Sequence, residues 1–133
     1  MGPSQFQFSN PILLELQFYV NDTYNTEDTE IDIGVDISLS KERVSENEAV
    51  VELTLELGEH NEKAPFYIKA VEGAKFRWED GAFKKESELE RLLNINAPAL
   101  LLSYMRPIIS NITGMSQYPA YHIPFVNFNN TKK

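Results

Sequence analysis

The sequence predicts a single α+β domain over residues 1–133, a four-stranded antiparallel sheet with one long, proline-kinked helix packed on one face. Three observations predict it. Four stretches alternate apolar and polar residues with period two, the signature of half-buried strands. The connections between them are short and polar, as antiparallel hairpins need. One dense apolar stretch, Asn96–Thr113, then repeats at the helical period and ends at Gly114. A sheet with one apolar face requires a cover, and this helix is the cover the chain offers.

The first strand is expected over about 5–20. Phe6, Phe8, Ile12, Leu14, Leu16, Phe18 and Val20 share one parity, with Gln7, Glu15 and Gln17 between them. Asn10-Pro11 is expected to bend or bulge it, because proline cannot donate a ladder hydrogen bond. Leu13 and Tyr19 place apolar groups on the second face. Asn21–Asp28 is turn chemistry. The second strand, about 29–40, alternates Ile31, Ile33, Val35, Ile37 and Leu39 with Glu30, Asp32 and Asp36. A charged loop, Lys41–Glu48, leads to the third, about 49–58, where Val51, Leu53, Leu55 and Leu57 oppose Glu52, Thr54 and Glu56. Gly58–Lys63 leads to the fourth, about 65–78. There Phe66, Ile68 and Ala70 share a parity, Gly73 is expected to mark a bulge, and Phe76 and Trp78 close the strand.

Glu79-Asp80-Gly81 is a turn. Ser87-x-x-Glu90 has the spacing of a capping box and predicts a short helix over about 87–94. Asn94–Asn96 is expected to interrupt it, with Asn96 capping the main helix, 97–113, and Pro98 in the first turn. At about 100° per residue, Ala97, Leu101, Tyr104, Met105, Ile108 and Ile112 form one face, widened by Leu102 and Ile109. Ala99, Ser103 and Ser110, beside Arg106, form a stripe of small residues. It reads either as a solvated face or as contact with a second copy. Pro107 removes a hydrogen bond and crowds the Ser103 carbonyl at a cost of about 3 kcal/mol. Burial of the apolar face offsets this, so a kink near Ser103–Pro107 is expected rather than two helices. Residues 116–128 are expected to be extended. Tyr118, Tyr121, Phe125 and Phe128 recur at helical spacing, but Pro119 and Pro124 oppose a helix. The segment is either a strap across the domain's own core or a groove wall for extended apolar segments of another protein.

Composition narrows the function. With 12 basic and 20 acidic residues the formal net charge is −8, which argues against nucleic acid and anionic membrane and favours a basic partner. The absence of cysteine excludes disulfides, Cys-ligated zinc and thiol nucleophiles. The longest apolar run, Ala97–Leu102, falls far short of the roughly 20 residues of a membrane span. The N-terminal residues have no signal-peptide pattern, so a cytoplasmic protein is expected. His60 and His122 stand in no metal-ligand spacing. Asp28, Glu30, Asp32 and Asp36 suggest a calcium loop only until the alternating Ile31, Ile33 and Val35 mark them as the polar side of a strand. No phosphate loop or nucleophile elbow exists, so neither an enzyme nor a cofactor or metal is expected. The residues alone reach an oligomeric binding protein.

One set of motifs goes further. Pro98-x5-Tyr104-x-Arg106, then Ile112-Thr113-Gly114-Met115-Ser116-Gln117-Tyr118-Pro119, then Pro124-Phe125-Val126-Asn127-Phe128, resembles the SecB protein-export chaperones. The Phe-Gln-Phe opening and the glycine before the last aromatic pair of the fourth strand are similar too, so the likeness spans about 6–128. The resemblance implies dimers through the first strand and helix, and tetramers as dimers of dimers. The interface would include Leu13, Tyr19, Ala99, Ser103, Arg106 and Ser110. It also implies an ATP-independent holdase for unfolded or extended polypeptides, whose groove would use Tyr118, Pro119, Tyr121, Ile123, Phe125, Val126 and Phe128. Of the family's acidic docking positions for the export motor SecA, one falls on Glu15; Asp32, Asp36, Glu52 and Glu56 still make an acidic sheet face, but not in the family's docking pattern. Family docking positions fall on Tyr19 and Lys69, which argues against handover to SecA. The family's second long helix comes after Val-Asn-Phe, whereas this sequence ends at Lys133, so a groove without that lid is expected. The alternative is a dedicated peptide-binding adaptor of the same fold, for example one associated with a toxin–antitoxin pair.

Overall fold

The computed structural model describes residues 6–24, 33–61 and 63–130. Five strands form one antiparallel sheet: β1 (Phe6–Phe8), β2 (Ile12–Val20), β3 (Val35–Ser45), β4 (Glu48–Gly58) and β5 (Phe66–Trp78). β5 is central. β1 and β2 pair with one side of it in succession, β4 with the other, and β3 forms the far edge. The predicted first strand is therefore present but divided at Ser9–Pro11, where proline interrupts the ladder. The predicted strand residues Glu30, Ile31 and Asp32 lie outside the described residues.

Register corrects two expectations. Phe8 faces Phe76 and Leu16 faces Ala70, both on the apolar side, but between them Ile12 faces Gly73 and Leu13 faces Glu72. A one-residue slip at Ser9–Pro11 and a bulge at Leu14 thus invert the parity of Ile12 and Leu13 and then restore it. Leu13 lies on the helix-covered side, not with Tyr19. The bulge is also in β2 rather than at Gly73, which keeps regular register with β4. Gly73 instead makes room: a Cβ there would lie 2.9 Å from Leu14 Cδ1.

The loop expected at Lys41–Glu48 is shorter, because β3 continues to Ser45 and a two-residue turn, Glu46–Asn47, joins it to β4. The Asn47 side chain holds that turn by donating to the Trp78 carbonyl at 3.0 Å and to Asp80 Oδ1 at 2.8 Å. β3 is the protected edge, carrying Lys41, Glu42 and Arg43 as charged residues against further strand pairing.

The helices are α1 (Glu86–Arg91) and α2 (Ala97–Gly114), joined by a π-helical turn at Leu92–Asn96. The expected break at Asn94–Asn96 is not a break. Asn96 is helical and makes no side-chain cap, while the Ala97 N–H donates to the Leu92 carbonyl five residues back. The cause is Pro98, which cannot donate to Asn94 and crowds its carbonyl; a widened turn accommodates both. α1 starts after Lys85 without the expected side-chain capping box. α2 runs through Pro107 to Gly114 as one helix.

α2 covers β4 and β5. Its buried residues are Ala97, Pro98, Leu101, Leu102, Met105, Ile109 and Thr113. The seated face is thus rolled toward Leu102 and Ile109 relative to the expected arc, leaving Tyr104 exposed and Ile108 and Ile112 half-buried. Opposite it, Val51, Leu53, Leu55, Leu57, Phe66, Ile68 and Phe76 are at most 1% exposed. Each such large side chain contributes about 1.5–3 kcal/mol on burial.

Candidate functional site

The segment after α2, residues 115–130, builds the site. At Gly114 the chain reverses, and Ser116 Oγ donates to the Thr113 carbonyl at 2.6 Å. The segment then runs back along α2, so that the terminal turn Phe128–Asn130 packs against Leu92–Asn96. Proline at 119 and 124 keeps it extended, without a period of its own. Hydrogen bonds to other elements hold it in place. The Tyr121 N–H donates to Thr113 Oγ1 at 2.8 Å, and Thr113 Oγ1 itself donates to the Ile109 carbonyl at 2.7 Å. Arg106 donates to the carbonyls of Ile123 and Pro124. The Tyr118 hydroxyl donates to the Asn21 carbonyl at 3.1 Å, and Tyr24 packs on its ring edge-on.

These ties divide the predicted client-binding residues. Tyr118, Ile123 and Phe128 are buried in the core, and Tyr121 packs edge-on against Phe66. Val126 packs partly against the core. Phe125 points outward at 85% exposure, and Pro119 and Pro124 are exposed with it. Met115, not singled out from sequence, is 82% exposed at the turn. The segment is therefore a strap on one side and an apolar surface on the other. A residue just past a helix-ending glycine carries no sequence signal of this kind, because side-chain direction at a turn depends on what the turn packs against.

Of the predicted interface residues, Arg106 is occupied within the chain as the strap's tie. Ala99 and Ser103 are exposed and Ser110 half-buried. Ser103 Oγ donates back to Leu100 at 2.6 Å and Ser110 Oγ to Pro107 at 3.3 Å.

A second apolar area lies at β2, whose outer edge has no strand neighbour among the described residues. Ile12, Leu13, Leu14 and Leu16 are 57%, 42%, 49% and 37% exposed. On the sheet side away from α2, the bulge and Gly73 leave a mainly apolar depression of about 370 Å³ lined by Ile12, Leu14, Val50 and Glu52.

That outward side also carries the acidic residues. Glu15, Asp36, Glu52 and Glu56 all fall on it by register, while Asp32 lies outside the described residues. They are not a uniform acidic face. Lys69 Nζ sits 3.8 Å from Glu15, and Glu56 accepts a hydrogen bond from the Tyr67 hydroxyl at 2.6 Å. Tyr19 and His60 pack around the Tyr67 ring. The bond to Glu56, then burial, pushes the Tyr67 phenol up to about 12 from its ordinary 10.0. Its neutral form is favoured by the fold, so its contribution to stability holds below about pH 10 and is lost as pH rises through about 12. In a spectrophotometric titration of the tyrosines at high pH, one phenol is expected to ionise well after the exposed ones. In Glu56→Gln that late step should move back toward them.

Among the described residues, no cluster of metal-ligating side chains forms, and no helix is long and apolar enough to cross a membrane.

Comparison with known proteins agrees with this architecture. The family model of the preprotein translocase subunit SecB matches residues 14–131. The uncharacterized protein MJ0357 of Methanocaldococcus jannaschii is 24% identical over 124 residues, covering 91% of this chain and 78% of the relative. Among solved structures, the chain is similar to the Mycobacterium tuberculosis SecB-like chaperone Rv1957 in complex with a ChAD peptide from the Rv1956 HigA1 antitoxin. The TM-score is 0.74 at 17% identity, over 92% of this chain and 91% of that one. A protein of unknown function from Streptococcus agalactiae is similar with TM-score 0.56 and 13% identity, over 91% of this chain and 98% of that one.

Proposed function

The chain belongs to the SecB family, and from that premise we propose that it is an ATP-independent holdase for unfolded or extended polypeptides, acting in the cytoplasm as a dimer or tetramer. The observation that carries this reading is the outward side of the strap. Phe125 and Met115 are held almost fully in water by a segment whose other side is locked into the core. A flexible tail would collapse such side chains or lose entropy on binding; a fixed one presents them ready-made. Each large apolar side chain that a client covers contributes about 1.5–3 kcal/mol before ordering costs. The β2 edge, which has no strand neighbour among the described residues and carries exposed leucines, offers backbone pairing to the same extended chain.

A stoichiometric excess of the protein is expected to suppress light scattering from a chemically unfolded client without ATP. Unchanged scattering would sink the holdase reading.

A second reading, a dedicated adaptor for one peptide, is favoured by the Mycobacterium tuberculosis SecB-like chaperone, which is in complex with a peptide from an antitoxin. Affinity capture separates the two: a spread of unfolded clients supports the holdase, one stoichiometric partner the adaptor. Tyr19 and Lys69 stand where the family resemblance puts acidic docking residues, and Lys69 Nζ lies 3.8 Å from Glu15, so neither reading includes handover to SecA.

A further inference from the structure

Strand alternation puts Phe66, Ile68, Ala70, Ala74 and Phe76 of β5 on the side that α2 covers, and it puts Glu72 there with them. Glu72 is 3% exposed, and its Oε1 is buried without a hydrogen-bond partner among the described residues. Register sets it between Leu53 of β4 and Leu13 of β2. The charged side chains closest to it in the ladder, Glu15, Glu52, Lys69 and Lys75, belong to the opposite side of the sheet by the same alternation. The seated face of α2 offers only apolar groups and Thr113. Its one charged residue, Arg106, is committed to the strap carbonyls, and its Tyr104 is exposed. In α1, Glu86 and Glu90 pair with Arg43 and Lys41 of β3, and Glu88 and Arg91 are exposed. In the strap, the Tyr118 hydroxyl is bonded to Asn21 and His122 is exposed. No charged group among these faces Glu72. Burial alone raises its carboxyl above the ordinary carboxylate value, as expected when an ionised group loses water and gains no partner.

We propose that Glu72 is a proton-linked latch between the sheet and α2. With the carboxyl neutral, α2 seats fully on β4 and β5. With it ionised, water must reach the oxygens, the seating loosens, and the strap, which α2 carries through Arg106 and Thr113, loosens with it. The accompanying pH dependence of client capture rests on the holdase reading; the latch itself does not.

Linkage gives the sign. A carboxyl raised in the folded state stabilises the fold below its ordinary value of 4.5, and that stabilisation is lost as pH rises through the folded value. Glu90 works in a separate window. Its hydrogen bond from Lys41 lowers it, so its contribution is lost only as pH falls below 4.5.

The test is urea unfolding of the wild type and Glu72→Gln, which keeps the shape and removes the charge, across pH 4.5 to 8. The ratio of their folding constants is expected to grow severalfold in favour of the variant as pH rises above 4.5, and then to level off. In the wild type, the Glu72 side-chain carboxyl carbon resonance should titrate above those of the exposed glutamates, a readout that needs no variant. Amide exchange across Leu101–Ile109, compared at one pH, should be faster in the wild type at pH 8 and equal at the acid end. Parallel unfolding profiles, or a Glu72 resonance that titrates with the exposed glutamates, would overturn the latch.

Discussion

Tyr118→Ala is expected to lower the free energy of unfolding by about 3–5 kcal/mol, whereas Phe125→Ala leaves it within about 0.5 kcal/mol. Both are aromatic residues of one span, 116–128, and their sequence contexts do not tell them apart. Their surroundings differ. Tyr118 is 7% exposed, packs with Tyr24 and donates its hydroxyl to Asn21, just past the end of β2. Its removal leaves a cavity and takes one donor from the Asn21 carbonyl, which keeps the Tyr24 N–H. Phe125 is 85% exposed, so its removal does neither. In the holdase assay the order should reverse per folded molecule. Phe125→Ala should need several-fold more protein for half-suppression of scattering at unchanged unfolding midpoint. A Phe125→Ala loss of stability equal to that of Tyr118→Ala would show that its ring is covered in solution by another surface, such as a second copy.

Gly58→Ala should be more damaging still, and Gly81→Ala provides its control. Both glycines have positive φ, 75° and 76°, so alanine at either meets the left-handed penalty of about 1–2 kcal/mol. At Gly81 nothing lies within 4 Å of an added Cβ, and that penalty is the whole effect. At Gly58 the Cβ would stand 1.9 Å from the Phe66 carbonyl oxygen. That oxygen belongs to the first residue of β5, so relief requires the β4–β5 hairpin to open where Leu57 and Ile68 pair in the core. Denaturant midpoints should fall modestly for Gly81→Ala, while Gly58→Ala should populate little folded protein. Equal midpoints would mean that the hairpin yields without opening.

Much of the fold is legible in the sequence because strand and helix periods arise from local sterics. The alternations from Phe6, Val35, Ala49 and Phe66 are strands. The apolar stretch from Ala97 is the covering helix, and Gly114 ends it. Proline at position 11 divides the first strand for the local reason expected. The differences fall where two distant segments must agree. The slip at Ser9–Pro11 and the bulge at Leu14 are properties of β2 against β5, so the alternation of Ile12 and Leu13 cannot by itself assign their faces. The π turn joining α1 to α2 answers a clash of Pro98 with the turn before it, and in a sequence it looks like a break. Glu72 shares parity with Phe66, Ile68 and Ala70, so its burial is legible in the alternation; that its Oε1 finds no partner among the described residues is not.

The sequence by itself determined which segments are strands and which is the helix. It also determined that an aromatic, proline-rich segment comes after the helix. It held the motifs that mark the SecB family. Only the tertiary structure decided which residues of that last segment are buried and which remain in water. An extended chain with prolines at 119 and 124 has no period to orient its side chains. Their directions are set instead by Thr113 and Arg106 on α2 and by Asn21 at the end of β2, through hydrogen bonds that exist only once helix, sheet and strap are packed together.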